Sequence, residues 1–75
     1  MKRNPFLDSL DLSSRQKRRA ATELAGALVG MIHLAESEYM DRIPPNLRSS
    51  PAYDAADETL DCLAEAIHTL EYAYE

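Results

Sequence analysis

Asp41-Arg42-Ile43-Pro44-Pro45-Asn46-Leu47-Arg48-Ser49-Ser50-Pro51 decides the fold of this chain of 75 residues. Pro44 pushes Ile43 out of the right-handed helical region, and two consecutive prolines cannot lie inside a helix, because each lacks an amide and its ring collides with the preceding turn. A helix arriving from the N-terminal side therefore stops here. Ser50-Pro51 then reads as a start, with a hydroxyl to accept from a free amide and a proline where the missing N–H is harmless. No proline lies between Pro5 and Pro44, and none follows Pro51. The segment predicts helix 1 at about 14–41, a turn over 42–50 and helix 2 at about 51–74.

Working outward, Tyr53, Ala56, Leu60, Leu63, Ile67, Leu70 and Tyr74 recur at alternating intervals of three and four. That is the a/d seam of a coiled coil, whose side chains interlock with a facing helix. Helix 1 offers Ala21, Leu24, Leu28, Met31 or Ile32, Ala35 and Tyr39 in answer. A link as short as 41–50 makes the two helices antiparallel neighbours. The expected fold class is all-α, an antiparallel two-helix hairpin, with a core of Leu24, Leu28, Ile32 and Tyr39 against Tyr53, Leu60, Leu63, Ile67, Leu70 and Tyr74.

Before the hairpin, Ser13-Ser14-Arg15-Gln16 reads as a capping box, a serine hydroxyl accepting from the third amide and Gln16 reaching back. Residues 1–12 form an N-terminal segment, in which Asn4-Pro5 is placed to cap a short helical turn through Phe6 and Leu10. The hairpin proper covers 13–75. The opening Met1-Lys2-Arg3 is followed by acids and serines in place of an apolar stretch, so it does not read as a secretory signal. From Leu24 to Ala35 the chain is almost uncharged, but this run is well short of the roughly 20 residues that cross a bilayer. A soluble, cytoplasmic protein is expected.

Net charge is −5, and it is unevenly spread. Lys2, Arg3, Arg15, Lys17, Arg18 and Arg19 face only Asp8 and Asp11 in the first 19 residues, whereas Arg42 and Arg48 are the only cations after them. Cys62 is the single cysteine, so neither an intrachain disulfide nor a cysteine-based zinc site can form. Chains this short bury too little surface to be stable by packing alone and commonly rely on disulfides, metals or association. Association is the remedy this composition permits. Helix 1 is apolar or small on nearly every side between Leu24 and Ala35, which a single neighbour cannot cover. Opposite Leu28 lies a ridge of small residues, Thr22, Gly26, Gly30 and Ser37. Two mid-helix glycines cost about 1 kcal/mol each relative to alanine, which points to close approach of another helix there. The ridge is thus the expected association face, with self-association as a homodimer completing a four-helix bundle, or docking on a partner helix.

No constellation in the sequence supports catalysis. Glu65-Ala66-Ile67-His68 has the spacing of a carboxylate-bridged metal site, yet both side chains lie about 180° from the seam when 100° per residue is counted, so a solvated face is the reading taken. His33 and His68 fall far apart in a hairpin, His33 near Glu58 and His68 near Glu23, and Cys62 is near neither, so no nucleophile has its base. Neither metal nor cofactor is expected. Arg15, Lys17, Arg18 and Arg19 could contact phosphates with strong salt dependence, but a hairpin sets them beside Glu65, Glu71 and Glu75, where pairing also relieves unfavourable charges at the helix ends. Asp54, Asp57, Glu58, Asp61, Glu65, Glu71 and Glu75 give helix 2 an acidic face, read as solvated, with mimicry of phosphates toward a nucleic-acid enzyme as the sharper alternative.

The run Asp41-Arg42-Ile43-Pro44-Pro45-Asn46-Leu47-Arg48-Ser49-Ser50-Pro51-Ala52-Tyr53, with Asp54-Ala55-Ala56-Asp57-Glu58 and Leu63-Ala64-Glu65-Ala66-Ile67, resembles a group of small uncharacterised proteins from phages and mobile elements of Firmicutes. Those carry an Ile/Met-Pro-Glu-Asn-Leu turn followed by an acidic helix rich in Leu, Glu and Ala. The likeness covers about half the chain and departs at Pro45, where the group has Glu. It implies a helical hairpin encoded on a mobile element and transfers no site residues. The function expected from the sequence is a non-enzymatic protein–protein interaction or oligomerisation module. Nucleic-acid binding through the basic start of helix 1 and inhibition of a nucleic-acid enzyme by the acidic face are the alternatives.

Overall fold

A computed structural model describes residues 9–75. Helix α1 spans Arg15–Asp41, a single 3-10 turn spans Pro45–Leu47, and helix α2 spans Pro51–Tyr72. The two helices pack against each other, and no strand occurs among the described residues. The helical turn expected from Asn4 falls, up to Asp8, outside the described residues.

Each helix begins at a serine. Ser14 adopts an extended backbone and its Oγ accepts from the Lys17 amide at 3.1 Å. The cap is therefore one residue later than a Ser13–Gln16 box requires, and the third helical position is a lysine that cannot return the bond. The Ser13 amide instead donates to Asp11 Oδ1 at 3.0 Å. Ser50 Oγ accepts from the Tyr53 amide at 3.3 Å, with Pro51 in the first helical position. Between the helices, Arg42 closes α1 by donating to the carbonyls of Glu38 and Tyr39, and Ile43 donates to Met40. Pro44 is extended, at φ −57° and ψ 148°, and the chain turns back through Leu47 N–H to Pro44 O at 2.9 Å and Ser50 N–H to Leu47 O at 3.1 Å. The turn has its own anchor, since Ile43 is one of two buried apolar residues among those described.

The other is Ala56, 2% exposed and in the middle of the α2 seam. Tyr53, Leu60, Leu63, Ile67, Leu70 and Tyr74 are each half-buried on the same stripe. The α1 side of the contact differs from the expected one. Ala21, Thr22, Gly26, Val29, Gly30, His33, Glu36, Ser37 and Met40 are the half-buried residues of α1, and Thr22, Gly26, Val29, His33, Glu36 and Met40 follow the same alternation of four and three as the α2 seam. Leu24, Leu28, Ile32 and Tyr39, expected in the core, are instead 52%, 58%, 47% and 43% exposed. The Thr22-Gly26-Gly30-Ser37 ridge, expected to be the free association face, is turned toward α2. Helix 1 is thus rotated by roughly 130° from the sequence expectation, counting 100° per residue. The physical reason is that periodicity restricts a seam to one of several stripes, and α1 carries two of them, a small and polar one and a leucine-rich one. Weighting by hydrophobicity selects the second, whereas the packing against α2 uses the first.

Candidate interaction surface

The rotation leaves a large apolar surface on the outer side of α1. Leu24, Leu28, Met31, Ile32 and Leu34 are 47% to 69% exposed, and the stretch from Leu24 to Ala35 contains no charged residue apart from the titratable His33, which points to the seam side and is half-buried. Counting 100° per residue, Leu24, Leu28, Met31 and Ala35 lie within about 60° of one another, opposite the stripe that meets α2. Their spacing of four, three and four makes them a second seam. Isolated exposed leucines are ordinary on protein surfaces, but contiguous apolar patches of this length are not.

The shape is extended for the mass. The chain exposes 6122 Å², where a folded monomer of 8.4 kDa exposes about 4,600 Å² by the mass scaling of compact proteins. The radius of gyration, 16.1 Å, likewise exceeds the roughly 11 Å of a compact domain of this length.

At the open end of the hairpin the cations of α1 are already engaged. Lys17 pairs with Asp11, the Arg18 guanidinium donates to the Leu12 carbonyl at 3.0 Å, Arg19 pairs with Glu23 at 3.5 Å, and Arg15 lies 4.9 Å over the Tyr74 ring. These contacts strap the segment before α1 to the helix and tie the start of α1 to Tyr74, just beyond α2. The Lys17 ammonium, with Ser13 donating from hydroxyl and amide, holds the Asp11 carboxyl below its ordinary value. The expected pairing of the cluster with Glu65, Glu71 and Glu75 is not among these bonds, although Arg19, Thr22, Glu23, Leu70, Glu71 and Tyr74 line one small cleft.

The residues considered for chemistry are not brought together. Among the described residues no three His, Cys, Asp or Glu side chains group as a metal site. Glu65 and His68 are exposed on α2, and His68 meets Tyr72 edge to face at 4.8 Å. Cys62 is exposed, while His33 lies on the inter-helix seam. Surface hollows beside Leu70 and Tyr74, beside Tyr39 and Pro44, and beside Leu10 and Leu24 have volumes of 190 to 360 Å³, at or below the small end of ligand pockets. No helix among the described residues is long and apolar enough to cross a membrane.

These features define a class, a helical hairpin with one seam closed within the chain and a second one open. No family model, curated protein or solved structure matches the chain.

Proposed function

We propose that this protein is a non-enzymatic protein–protein interaction module whose docking surface is the outer side of α1. The observation that carries the proposal is the exposure of Leu24, Leu28, Met31, Ile32 and Leu34 on one helix, in a hairpin that buries only Ile43 and Ala56 among the described apolar residues. Covering a single leucine is worth about 1.5–3 kcal/mol when complete, so a partner that covers this stripe supplies stabilisation the hairpin lacks. The nucleic-acid reading ranks lower because Arg15, Lys17, Arg18 and Arg19 each have a contact within the chain. The acidic face of α2 has no such counter-argument, but an exposed acidic helix needs no partner to be stable in water. The resemblance of the turn and second helix to phage and mobile-element proteins supports a mobile-element setting for the module.

Site-specific photo-crosslinking tests the assignment. A photoreactive phenylalanine analogue replacing Leu28 is expected to form a protein adduct in cells, and the same group replacing Glu65 or Lys17 is expected to form none. Protein adducts confined to Glu65, or nucleic-acid adducts at Lys17, would overturn it in favour of the acidic or the basic surface.

A further inference from the structure

We infer that the first occupant of the outer seam is the chain's own N-terminal segment, with Phe6 and Leu7 laid over Leu24 and Leu28, so that a partner has to displace them to dock. The inference rests on the interaction reading above and adds how access to that surface is controlled.

The first observation is where the described chain begins. Residues 10–12 do not lead away from the hairpin but lie back along α1. Leu10 is half-buried, and with Asp11 it lines an open hollow of about 360 Å³ whose other walls are Lys17, Ala20, Ala21 and Leu24. Counting 100° per residue, those four positions share one arc of about 100° with Leu28 and Met31. The hollow is therefore the first part of the outer seam, and the segment before α1 already forms one of its walls. Two contacts hold it there, Lys17 with Asp11 and the Arg18 guanidinium to the Leu12 carbonyl at 3.0 Å. Read backward from the cap at Ser14, the chain reaches Leu10 beside Ala20, Ala21 and Leu24, and so advances along α1 in the direction of Leu28.

The second is reach. Residues 1–8 precede the described chain and carry Phe6 and Leu7, four and three positions before Leu10. Along the helix axis Leu28 stands about 6 Å beyond Leu24, and Met31 about 10 Å. Phe6 is at most about 13 Å from Leu10 on an extended backbone and about 6 Å on a helical one, so either brings an aromatic ring to Leu28. The contact begun by Leu10 is continued by the next apolar side chains in the sequence, with no break in the seam between them.

The third is tethering. A segment anchored at Asp11 and Leu12 presents Phe6 and Leu7 to the seam at an effective concentration on the order of millimolar. A separate protein competes against that local concentration. The segment is thus seated first, and its release is the step that admits a partner.

The test uses the full chain. Phe6 is the only phenylalanine, so isotopic labelling of phenylalanine marks its ring alone. Nuclear Overhauser contacts are expected from that ring to the methyls of Leu24 or Leu28, unchanged on dilution and absent from a mixture in which ring and methyl labels are on different chains. Phe6→Asp with Leu7→Asp is expected to raise the yield of protein adducts from the photoreactive group at Leu28 by about threefold or more, as follows when an intramolecular competitor is removed. Contacts seen in the mixed-label sample make the occupant a second copy and overturn the inference. The absence of any contact from Phe6 to α1 overturns it too, and if Leu28 still forms an adduct with another protein, the interaction module stands without the strap. An adduct yield that the double substitution leaves unchanged overturns the control of access. Phe6 contacts within the chain, joined by no Leu28 adduct in the parent or the variant, remove the interaction module and leave the segment as the standing cover of the seam.

Discussion

Replacing Gly26 and Gly30 by alanine probes which side of α1 is the free one. Both glycines lie inside α1, and neither has a positive φ that would need a missing side chain. A Cβ added at either position meets no heavy atom within 4 Å outside its own helical turn. The methyl therefore costs nothing sterically within the hairpin. What remains is the conformational entropy that glycine loses on entering a helix, about 1 kcal/mol relative to alanine at each site. The positions share no side-chain partner, so the double variant is expected to gain about 2 kcal/mol. For a domain of this size each kcal/mol raises the melting temperature by about 4–8 °C, which puts the double variant on the order of 10 °C above the parent. The assay is thermal melting by circular dichroism at matched concentrations, run with sedimentation equilibrium. A fall in melting temperature, or a loss of association at unchanged helix content, would refute the reasoning. It would mean that another helix approaches the Gly26/Gly30 ridge closely, which returns the docking surface to the small-residue side of α1 and removes Leu28 from it.

Ala56 is the tightest point of the inter-helix seam at 2% exposed, so Ala56→Leu is expected to destabilise by about 1–3 kcal/mol through overpacking, whereas Ala64→Leu on the exposed flank of α2 stays within about 0.5 kcal/mol; urea unfolding reads both, and a neutral Ala56→Leu would contradict the seam. Asp11 is held below its ordinary value of 3.8 first by Lys17 and then by Ser13. A lowered folded value means that its contribution to docking the N-terminal segment is complete above the ordinary value and is lost as pH falls through the lowered one. Carboxyl carbon shifts followed by NMR should show this midpoint, with Lys17→Met moving it upward; a wild-type midpoint at or above the ordinary value contradicts the Lys17–Asp11 pair.

The turn was the most legible feature. Pro44, Pro45, Ser50 and Pro51 act through covalent geometry and local hydrogen bonds, and these do not depend on what packs nearby. The α2 seam was legible for a related reason, since only one of its stripes is rich in large apolar residues and most of the rest of the helix is acidic or alanine. Helix α1 offered no such contrast. Its Thr22-Gly26-Val29-His33-Glu36-Met40 stripe has the same alternating interval as the α2 seam, but its residue types carry little hydrophobic weight. The one sequence cue to it is that the spacing runs unbroken from Thr22 to Met40. The exposed leucine stripe was visible as apolar residues, but its use as an outward surface was not, because periodicity says that a stripe is covered without saying by which neighbour.

Helix α1 has no rotation that hides it with one neighbour, and this decides how folding and association relate. Turning the leucine stripe inward onto α2 would leave Val29 and Met40 outside and would still expose Leu34, since the apolar residues extend over more than half the helix circumference. With α2 on the small and polar stripe, the open side is instead a single contiguous seam bounded by charge at both ends, the form a second helix can cover in one contact. Because the hairpin buries so little alone, the closed seam and the covered outer seam are expected to melt together. Substitutions in either seam therefore lower the same transition, and the melting temperature rises in the presence of the protein captured through Leu28. A melting temperature that this protein leaves unchanged would separate the seams and leave the hairpin stable by itself, which the small buried core of Ile43 and Ala56 argues against.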